Sequence, residues 1–291
     1  ACGPPRLAPG PCRGHLAVMT DLASTRPSGL PRPRRHNGVN WIGVQTLYLR
    51  EVRRFWKVGA QTVAAPVVTT LLYMLVFVVA LKDARPPLHG TSFAEFVAPG
   101  LIMMAVLNNA FANASSSLIQ AKIMGTATDF LTPPLSPLEL TVGFSLGAAT
   151  RGIVVGVVTA VCVLPFAKLG VANLFAIVWF GVVASLLMGM LGVLAGLWSE
   201  KFDHLSAVQN FVVMPMTFLS GTFYPIDRLP EPFRSISHFN PFFYLIDGFR
   251  AGFIGHADGS LMIGVAVSAV LTLALAVACW LVFRSGWRLK S

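Results

Sequence analysis

The sequence predicts an all-α integral membrane protein: six transmembrane helices, an interfacial amphipathic helix before them, and short helices in two connections. Composition indicates this class, because 12% of the 291 residues are charged and 55% are hydrophobic, whereas soluble domains carry roughly 25% charged residues. A soluble helical protein with a large core is therefore disfavoured. The apolar runs are long enough to cross a bilayer as helices, and they lack the alternation typical of membrane β-barrel strands.

Residues 1–38 are predicted to form a disordered segment, because they are rich in proline, arginine, serine and glycine. The sequence begins with Ala1, and its first methionine is Met19. Our hypothesis is that the biological start is Met19 and that residues 1–18 are not native. N-terminal sequencing of the natural protein that finds residues before Met19 would contradict it.

Residues 39–57 predict an amphipathic helix that lies in the membrane interface. Apolar residues recur there at helical spacing and fall on one face: Trp41, Val44, Tyr48, Val52 and Phe55. The opposite face carries Thr46, Arg50, Arg53, Arg54 and Lys57. Tryptophan together with basic residues suits the interface. A surface helix packed on a soluble domain is the alternative, and the apolar run that follows at once favours the interface.

Six apolar runs define a predicted transmembrane domain over residues 58–285, followed by a cytoplasmic tail at 286–291. Their predicted bounds are Ala60–Leu81, Phe96–Leu118, Leu140–Ala167, Val171–Trp198, Leu205–Tyr224 and Leu261–Phe283. The third and fourth runs are joined around Lys168–Gly170, which predicts a tight hairpin. The long connection after the fifth run is apolar but interrupted by prolines. We expect one or two short re-entrant helices there, at the outer leaflet.

The distribution of basic residues predicts the orientation in the membrane. Ten of the 22 lysines and arginines precede residue 58. With a cytoplasmic N-terminus, the inner connections and termini carry 15 basic residues and the outer connections carry six, with Arg151 left inside the third span. We therefore expect both termini in the cytoplasm.

Sequence signals for an enzyme or a metal site are weak. No HExxH or GxSxG pattern occurs, and no lysine follows a glycine, so the phosphate loop GxxxxGK[ST] is absent. The cysteines Cys2, Cys12, Cys162 and Cys279 lack metal-ligand spacing. We expect no catalytic residues, no metal and no cofactor in this chain; if ATP drives the protein, another chain hydrolyses it.

Polar residues inside the predicted spans are candidates for a transport path. Asn109, Asn113 and Ser116 share one face of the second span, Arg151 lies deep in the third, and the fifth carries Thr217 and Ser220 beside Pro215, which is expected to kink it. Each group has two interpretations, contact between helices or lining of a path. Glycines at 143, 147, 152 and 156 flank Arg151 and predict close helix approach around it.

The stretch Lys122–Leu140, between the second and third spans, predicts a short cytoplasmic coupling helix. Its prolines Pro133, Pro134 and Pro137 restrict the backbone and make the element stiff. Such an element is suited to connect a membrane domain to a soluble motor.

These features together resemble the permease subunit of type 2 ATP-binding-cassette (ABC) exporters. The string Asp129–Pro137 is similar to the coupling region of that family, Leu219–Pro225 to the end of its fifth span, and Leu229–Pro230 with Asn240–Tyr244 and Arg250 to its outer re-entrant helices. The resemblance covers about Asn40 to Leu289.

The resemblance implies a soluble ABC ATPase partner in two copies, which binds ATP and Mg²⁺, beneath a homodimer of this chain. It implies efflux of amphiphilic cargo, a drug, lipid or glycan, outward across the bacterial inner (plasma) membrane. The ATPase-coupling residues would be Asp129, Phe130, Thr132, Pro133, Pro134, Leu135, Ser136, Pro137 and Glu139. The outer gate would comprise Tyr224, Pro225, Asn240, Pro241, Tyr244 and Arg250. Substitution of Pro134 and Glu139 is then expected to abolish transport and leave membrane insertion intact.

Two other classes of membrane protein are alternatives to the exporter. An ion-coupled secondary transporter typically has inverted repeats and buried acids, and none of the ten acidic residues from Asp83 to Asp258 lies in the middle of a predicted span. A membrane-embedded enzyme would need a convergent polar cluster that the sequence does not assemble.

Overall fold

The computed structural model describes residues 38–81, 92–126, 134–224, 230, 231, 235, 237 and 239–287, with backbone only for 77–81. The predicted disordered segment lies outside this range except for Gly38, and so does most of the predicted tail. Residues from Val39 onward form one compact unit.

Helices are the only regular secondary structure among the described residues, which contain no β-strand, and this confirms the all-α prediction. The helices are α1 Trp41–Lys57, α2 Gly59–Leu81, α3 Phe93–Ile123, α4 Pro137–Val163, α5 Leu174–Trp198, α6 Phe202–Val208, α7 Met214–Leu219, α8 Pro241–Ile254 and α9 Leu261–Ser285. Five of them, α2, α3, α4, α5 and α9, are long and apolar enough to cross a bilayer. They correspond to the first four and the sixth predicted spans.

The fifth predicted span is a helix of mixed type. Between α6 and α7 lies a π-helical segment, Gln209–Val213, in which the Met214 N–H donates to the Gln209 carbonyl. The kink expected at Pro215 stays a prediction. The structure shows a wider helical turn immediately before this proline, whose missing N–H removes one α-helical bond. The helical run ends at Leu219, before the predicted end at Tyr224, and Gly221 follows with a positive φ of 75°.

Helix α3 lies at the centre of the fold, with 22 of its 31 residues buried. Helix α5 packs on it through glycines. A Cβ on Gly192 would lie 2.5 Å from the Phe111 carbonyl oxygen, and one on Gly196 would lie 2.9 Å from that of Ser115. The backbones of α3 and α5 therefore touch directly, as small residues allow between membrane helices.

Helix α1 runs alongside α4. The Asn40 N–H binds the Glu139 side chain at the start of both helices. Further along, Leu47 and Glu51 of α1 cover Gly143 and Gly147 of α4. The close approach predicted around these glycines is confirmed, and α1 is its partner.

The buried face of α1 differs from the predicted apolar face. The structure buries Val44, Leu47, Glu51 and Phe55, whereas Trp41 is 73% exposed. The difference arises because α4 packs against the face of α1 centred between Leu47 and Glu51, where the glycines of α4 leave room for these side chains.

Candidate coupling surface and transport path

The N-terminus of α4 is a rigid, capped turn at the end of the predicted coupling stretch. The Ser136 Oγ accepts from the Glu139 N–H (3.3 Å), and Glu139 Oε2 accepts from the Ser136 N–H (2.7 Å). This reciprocal capping box, with Pro137 in the first turn, fixes the direction in which α4 starts. Pro134 is exposed just before it. Four predicted coupling residues, Asp129, Phe130, Thr132 and Pro133, lie outside the described residues.

Glu139 joins this turn to α1. Its Oε1 accepts from the Asn40 N–H at 2.6 Å, so its two oxygens hold the starts of both helices. Beside it, the Leu135 side chain lies against Gly43, where a Cβ would meet it at 2.5 Å. Glu139 is only 4% exposed. It therefore holds the starts of α1 and α4 together.

The other end of the coupling stretch is tied to α5. The Lys122 Nζ, in the last turn of α3, donates to the Leu197 carbonyl and to the Ser199 carbonyl (3.2 Å). A lysine at this place donates to carbonyls that lack partners within the helix, and its positive charge interacts favourably with the negative end of the helix dipole. The two ends of residues 122–140 are thus tied to α1, through Glu139, and to α5, through Lys122.

A buried carboxylate in α1, which the sequence analysis missed, holds α1 to α3. Glu51 is 0% exposed. Its Oε1 accepts from the Ser117 Oγ (2.7 Å), and its Oε2 accepts from the Arg54 Nη2 (3.2 Å) and Nε (3.3 Å). A signal was present in the sequence: Glu51 stands seven residues after Val44 and four before Phe55, in the middle of the apolar face.

Arg54 turns inward instead of lying on the polar face predicted for it. Its Nη2 donates to the Asn113 carbonyl (2.7 Å) and Oδ1 (2.9 Å), and its Nη1 to the Ser116 Oγ (3.3 Å). The long side chain reaches α3 because the adjacent carboxylate of Glu51 is buried there. Two predicted path residues, Asn113 and Ser116, therefore bind α1. Of the other basic residues predicted for the interface, Arg53 is exposed and Arg50 half-buried.

A polar cavity lies at the middle of α3. It has a volume of about 240 Å³ and is walled by α2, α3, the π-helical segment and α7. Asn109 lines it, and the Arg151 Nη2 of α4 donates to the Asn109 Oδ1 from behind (3.1 Å). The structure thus brings these two predicted path residues together.

The two predicted path residues of the fifth span do not line this cavity. Thr217 is buried and its Oγ1 donates to the Met214 carbonyl (2.7 Å). Ser220 donates to the Thr217 carbonyl (2.6 Å). Both hydroxyls therefore satisfy backbone at the end of α7.

Arg250 is the centre of the predicted outer gate. From α8 its Nη2 donates to the Gly221 carbonyl (2.5 Å), and its guanidinium lies 3.9 Å from the centroid of the Phe96 ring. The Nη1 is 3.9 Å from Asp258 Oδ2. One buried cation thus connects α8, α3 and the two loops beside α8.

The other gate residues fix the ends of the same helices. Asn240 caps α8, which starts with Pro241, and its Nδ2 donates to the Met216 carbonyl (2.6 Å). The Tyr224 hydroxyl donates to the Phe218 carbonyl (3.2 Å). Tyr244 is half-buried, with its ring 5.1 Å from that of Phe243. Pro225 lies outside the described residues.

Asp247, also missed by the sequence analysis, closes the loop between α8 and α9. Its oxygens accept from the N–H groups of Asp258 (3.0 Å) and Gly259 (2.9 Å). Burial raises the pKa of the Asp247 carboxyl, although these donors and the Arg250 guanidinium act in the opposite direction. The carboxyl is therefore a structural clamp for the α8–α9 connection.

Comparison with known proteins identifies relatives across most of the chain. The ABC-2 type transporter family matches residues 43–254, from α1 to the end of α8. The inner membrane transport permease YadH of Escherichia coli (strain K12) is 33% identical over 251 residues, which cover 86% of this chain and 98% of that protein. Nodulation protein J of Rhizobium leguminosarum bv. viciae is 26% identical over 234 residues, covering 78% of this chain and 88% of that protein. Nodulation protein J of Azorhizobium caulinodans is 23% identical over 220 residues, covering 74% and 84%.

Proposed function

Because the chain belongs to the ABC-2 type transporter family as a membrane permease, we propose that it is the membrane-spanning subunit of an ATP-driven exporter. A separate ATPase chain, in two copies with ATP and Mg²⁺, supplies the energy beneath a homodimer of this permease. The cargo is an amphiphile, a drug, lipid or glycan, which moves outward across the inner membrane. The observation that carries this proposal is the capped turn at Ser136–Glu139, which is tied to α1 while Lys122 ties the other end of the stretch to α5.

The proposed coupling route follows these contacts. Closure of the ATPase pair pushes on the exposed surface around Pro134 and Leu138. The capping box makes that turn stiff, so the push is passed to α4 and, through Glu139, to α1. Lys122 passes the movement to α5. Glu139 and Lys122 act here by positioning, and Pro134 and Leu138 by contact.

Six crossings with cytoplasmic termini fit this route. The run from α6 to α7 covers residues 202–219, about 27 Å at 1.5 Å per residue, close to the roughly 30 Å of a hydrocarbon core. Counted as a span, it places the coupling turn and the N-terminus on one side and α8 on the other. That arrangement agrees with the excess of basic residues predicted for the cytoplasmic side.

Exposed apolar and aromatic side chains support contact with lipid and with a second copy. Trp41 and Trp56 protrude from α1, as suits a helix at the membrane interface. Phe211, in the π-helical segment, is 81% exposed beside the polar cavity, and Leu72 of α2 is also exposed. We assign this face to the partner permease, so that cargo passes between the two copies.

The experiment is gentle purification of the full chain from its host, with mass spectrometry of the proteins that co-elute. A stoichiometric ATPase with a phosphate loop is expected. The double variant Pro134→Asp/Leu138→Asp should lose that partner and ATP-driven transport, while membrane insertion is unchanged. Leu164→Asp is the matched control, because Leu164 is equally exposed just beyond the opposite end of α4.

Two outcomes would contradict the proposal. One is a pure homo-oligomer without an ATPase in several mild detergents, which would favour an ion-coupled carrier. The other is full ATPase retention and transport in the Pro134→Asp/Leu138→Asp variant, which would remove the coupling surface from this turn.

A further inference from the structure

The polar cavity at the middle of α3 has an unusual balance of polar groups. The rest of the lining is apolar, and neutral donors and acceptors come from Thr69, Thr70, Tyr73, Asn108, Asn109 and Gln209. Among the described residues, no carboxylate lines it. It lies at mid-height, since Asn108 is the central residue of the 31-residue α3. A cargo group bound here would contact protein on one side at membrane depth, since the cavity is open on the other.

The charges behind this wall do not balance. Two guanidiniums, Arg54 and Arg151, lie near each other, and among the described residues Arg54 has a carboxylate partner, Glu51. That carboxylate is already occupied, because its two oxygens accept from Arg54 and Ser117. Within the described part of the chain, Arg151 forms no ion pair, and its one hydrogen bond goes to Asn109 in the cavity wall.

Two atoms near the cavity are buried without hydrogen-bond partners. One is the Arg151 Nε, a donor, and the other is the Asn108 Oδ1, an acceptor in the wall itself. The Asn108 Nδ2 binds only its own helix, at the Met104 carbonyl (2.9 Å). Buried polar groups are ordinarily paired, and an unbalanced cation at membrane depth is costly unless it meets an anion.

We propose that this cavity binds the phosphate-type anionic headgroup of an amphiphile, with the positive charge of Arg151 as its counter-charge. Arg151 is a positioning residue, one hydrogen bond behind the wall. It orients Asn109 and supplies a positive potential that a low-dielectric site screens little. The headgroup hydroxyl donates to Asn108 Oδ1, and the tail lies along the apolar walls of α2 and α3. This inference rests on the proposed export function and names the class of its cargo.

The test compares two amphiphiles with the same tail. The full chain is purified in neutral dodecyl maltoside, and its thermal unfolding is followed as dodecyl phosphate or zwitterionic dodecylphosphocholine is added to the micelles. Dodecyl phosphate is expected to reach half-saturation at a mole fraction about tenfold lower, the size expected for one charge-assisted interaction. Arg151→Gln should remove that difference, and Arg151→Lys should restore most of it.

Two further variants separate a binding role from a folding role. Asn108→Leu should weaken dodecyl phosphate binding without altering the contacts between helices, because the Asn108 amide bonds only within α3. Arg284→Gln, at the end of α9 and stacked on Trp280, should change nothing. If Arg151→Gln does not fold, the lysine and leucine variants still decide the question.

Three results would overturn the inference: equal affinity for both amphiphiles, a preference that survives Arg151→Gln, or competition by inorganic phosphate as strong as by dodecyl phosphate. The last would make the cavity a site for a free anion. Because the assay needs no ATPase, a negative result can be distinguished from a failure of the proposed function. A chain that binds an ATPase but shows no charge preference refutes only the cargo class.

Discussion

Replacement of Glu51 by glutamine is expected to loosen α1 from the rest of the protein. The glutamine keeps the shape but removes the charge that neutralises Arg54. Removing one partner of a buried ion pair costs about 3–5 kcal/mol. Arg54 is 27% exposed and keeps its bonds to Asn113, so we take the lower end, about 3 kcal/mol. That corresponds to a rise of about 100-fold in the fraction of molecules with α1 detached.

Hydrogen–deuterium exchange of peptides from α1 measures this detachment directly, because local opening controls exchange. We expect exchange across Trp41–Lys57 to accelerate about 100-fold in Glu51→Gln, with little change in α5. The double variant Glu51→Gln/Arg54→Gln should exchange more slowly than the two single effects predict, because it leaves no unpaired charge. Arg53→Gln is the control, since Arg53 is exposed on the same helix.

The reasoning is refuted if α1 in Glu51→Gln exchanges within about threefold of the natural protein, or if the two single effects add fully. The first result would mean that the ion pair between Glu51 and Arg54 does not hold α1 in place. The second would mean that Arg54 is held by Asn113 and Ser116 alone.

Two further substitutions test the packing and the outer gate by thermal unfolding in detergent. Gly192→Ala should destabilise the protein by about 1–3 kcal/mol, because the new Cβ meets the immobile Phe111 carbonyl. The control Gly59→Ala, with open space around it, should leave the unfolding midpoint unchanged or slightly raised. Equal midpoints for the two variants would show that α3 and α5 can separate freely. Arg250→Met should cost about 1–3 kcal/mol, because the buried Gly221 carbonyl loses its donor. An unchanged midpoint would show that Arg250 does not stabilise the folded protein.

Features that depend on local sequence were predicted well. The class and five helices followed from composition and from runs of about 20 apolar residues, since the cost of exposing polar backbone to lipid applies to each segment separately. The third span was predicted to begin at Leu140, whereas α4 begins at Pro137. The capping box of Ser136 and Glu139 was missed, although it spans only four residues. A kink at Pro215 was predicted because proline lacks an N–H, whereas the π-helical segment before it was not predicted.

The candidate site was predicted only in part, because its contacts join distant residues. Asn109, Asn113 and Ser116 share one face of α3, and the sequence therefore predicted the same role for all three. The structure divides them: Asn113 and Ser116 bind Arg54, 59 and 62 residues away, while Asn109 binds Arg151, 42 residues away.

The sequence by itself determined that this chain is helical, lies in a membrane and lacks the phosphate loop of an ATPase, because each of these is a property of short segments. Only the tertiary structure decided which polar groups meet. In the sequence, Glu51 is an ordinary carboxylate on a basic helix. In the structure it is buried, because Gly147 lets α1 approach α4 and the Ser117 hydroxyl of α3 donates to its carboxylate. Helix crossings set these distances, and they depend on how small and large side chains interlock across three helices at once.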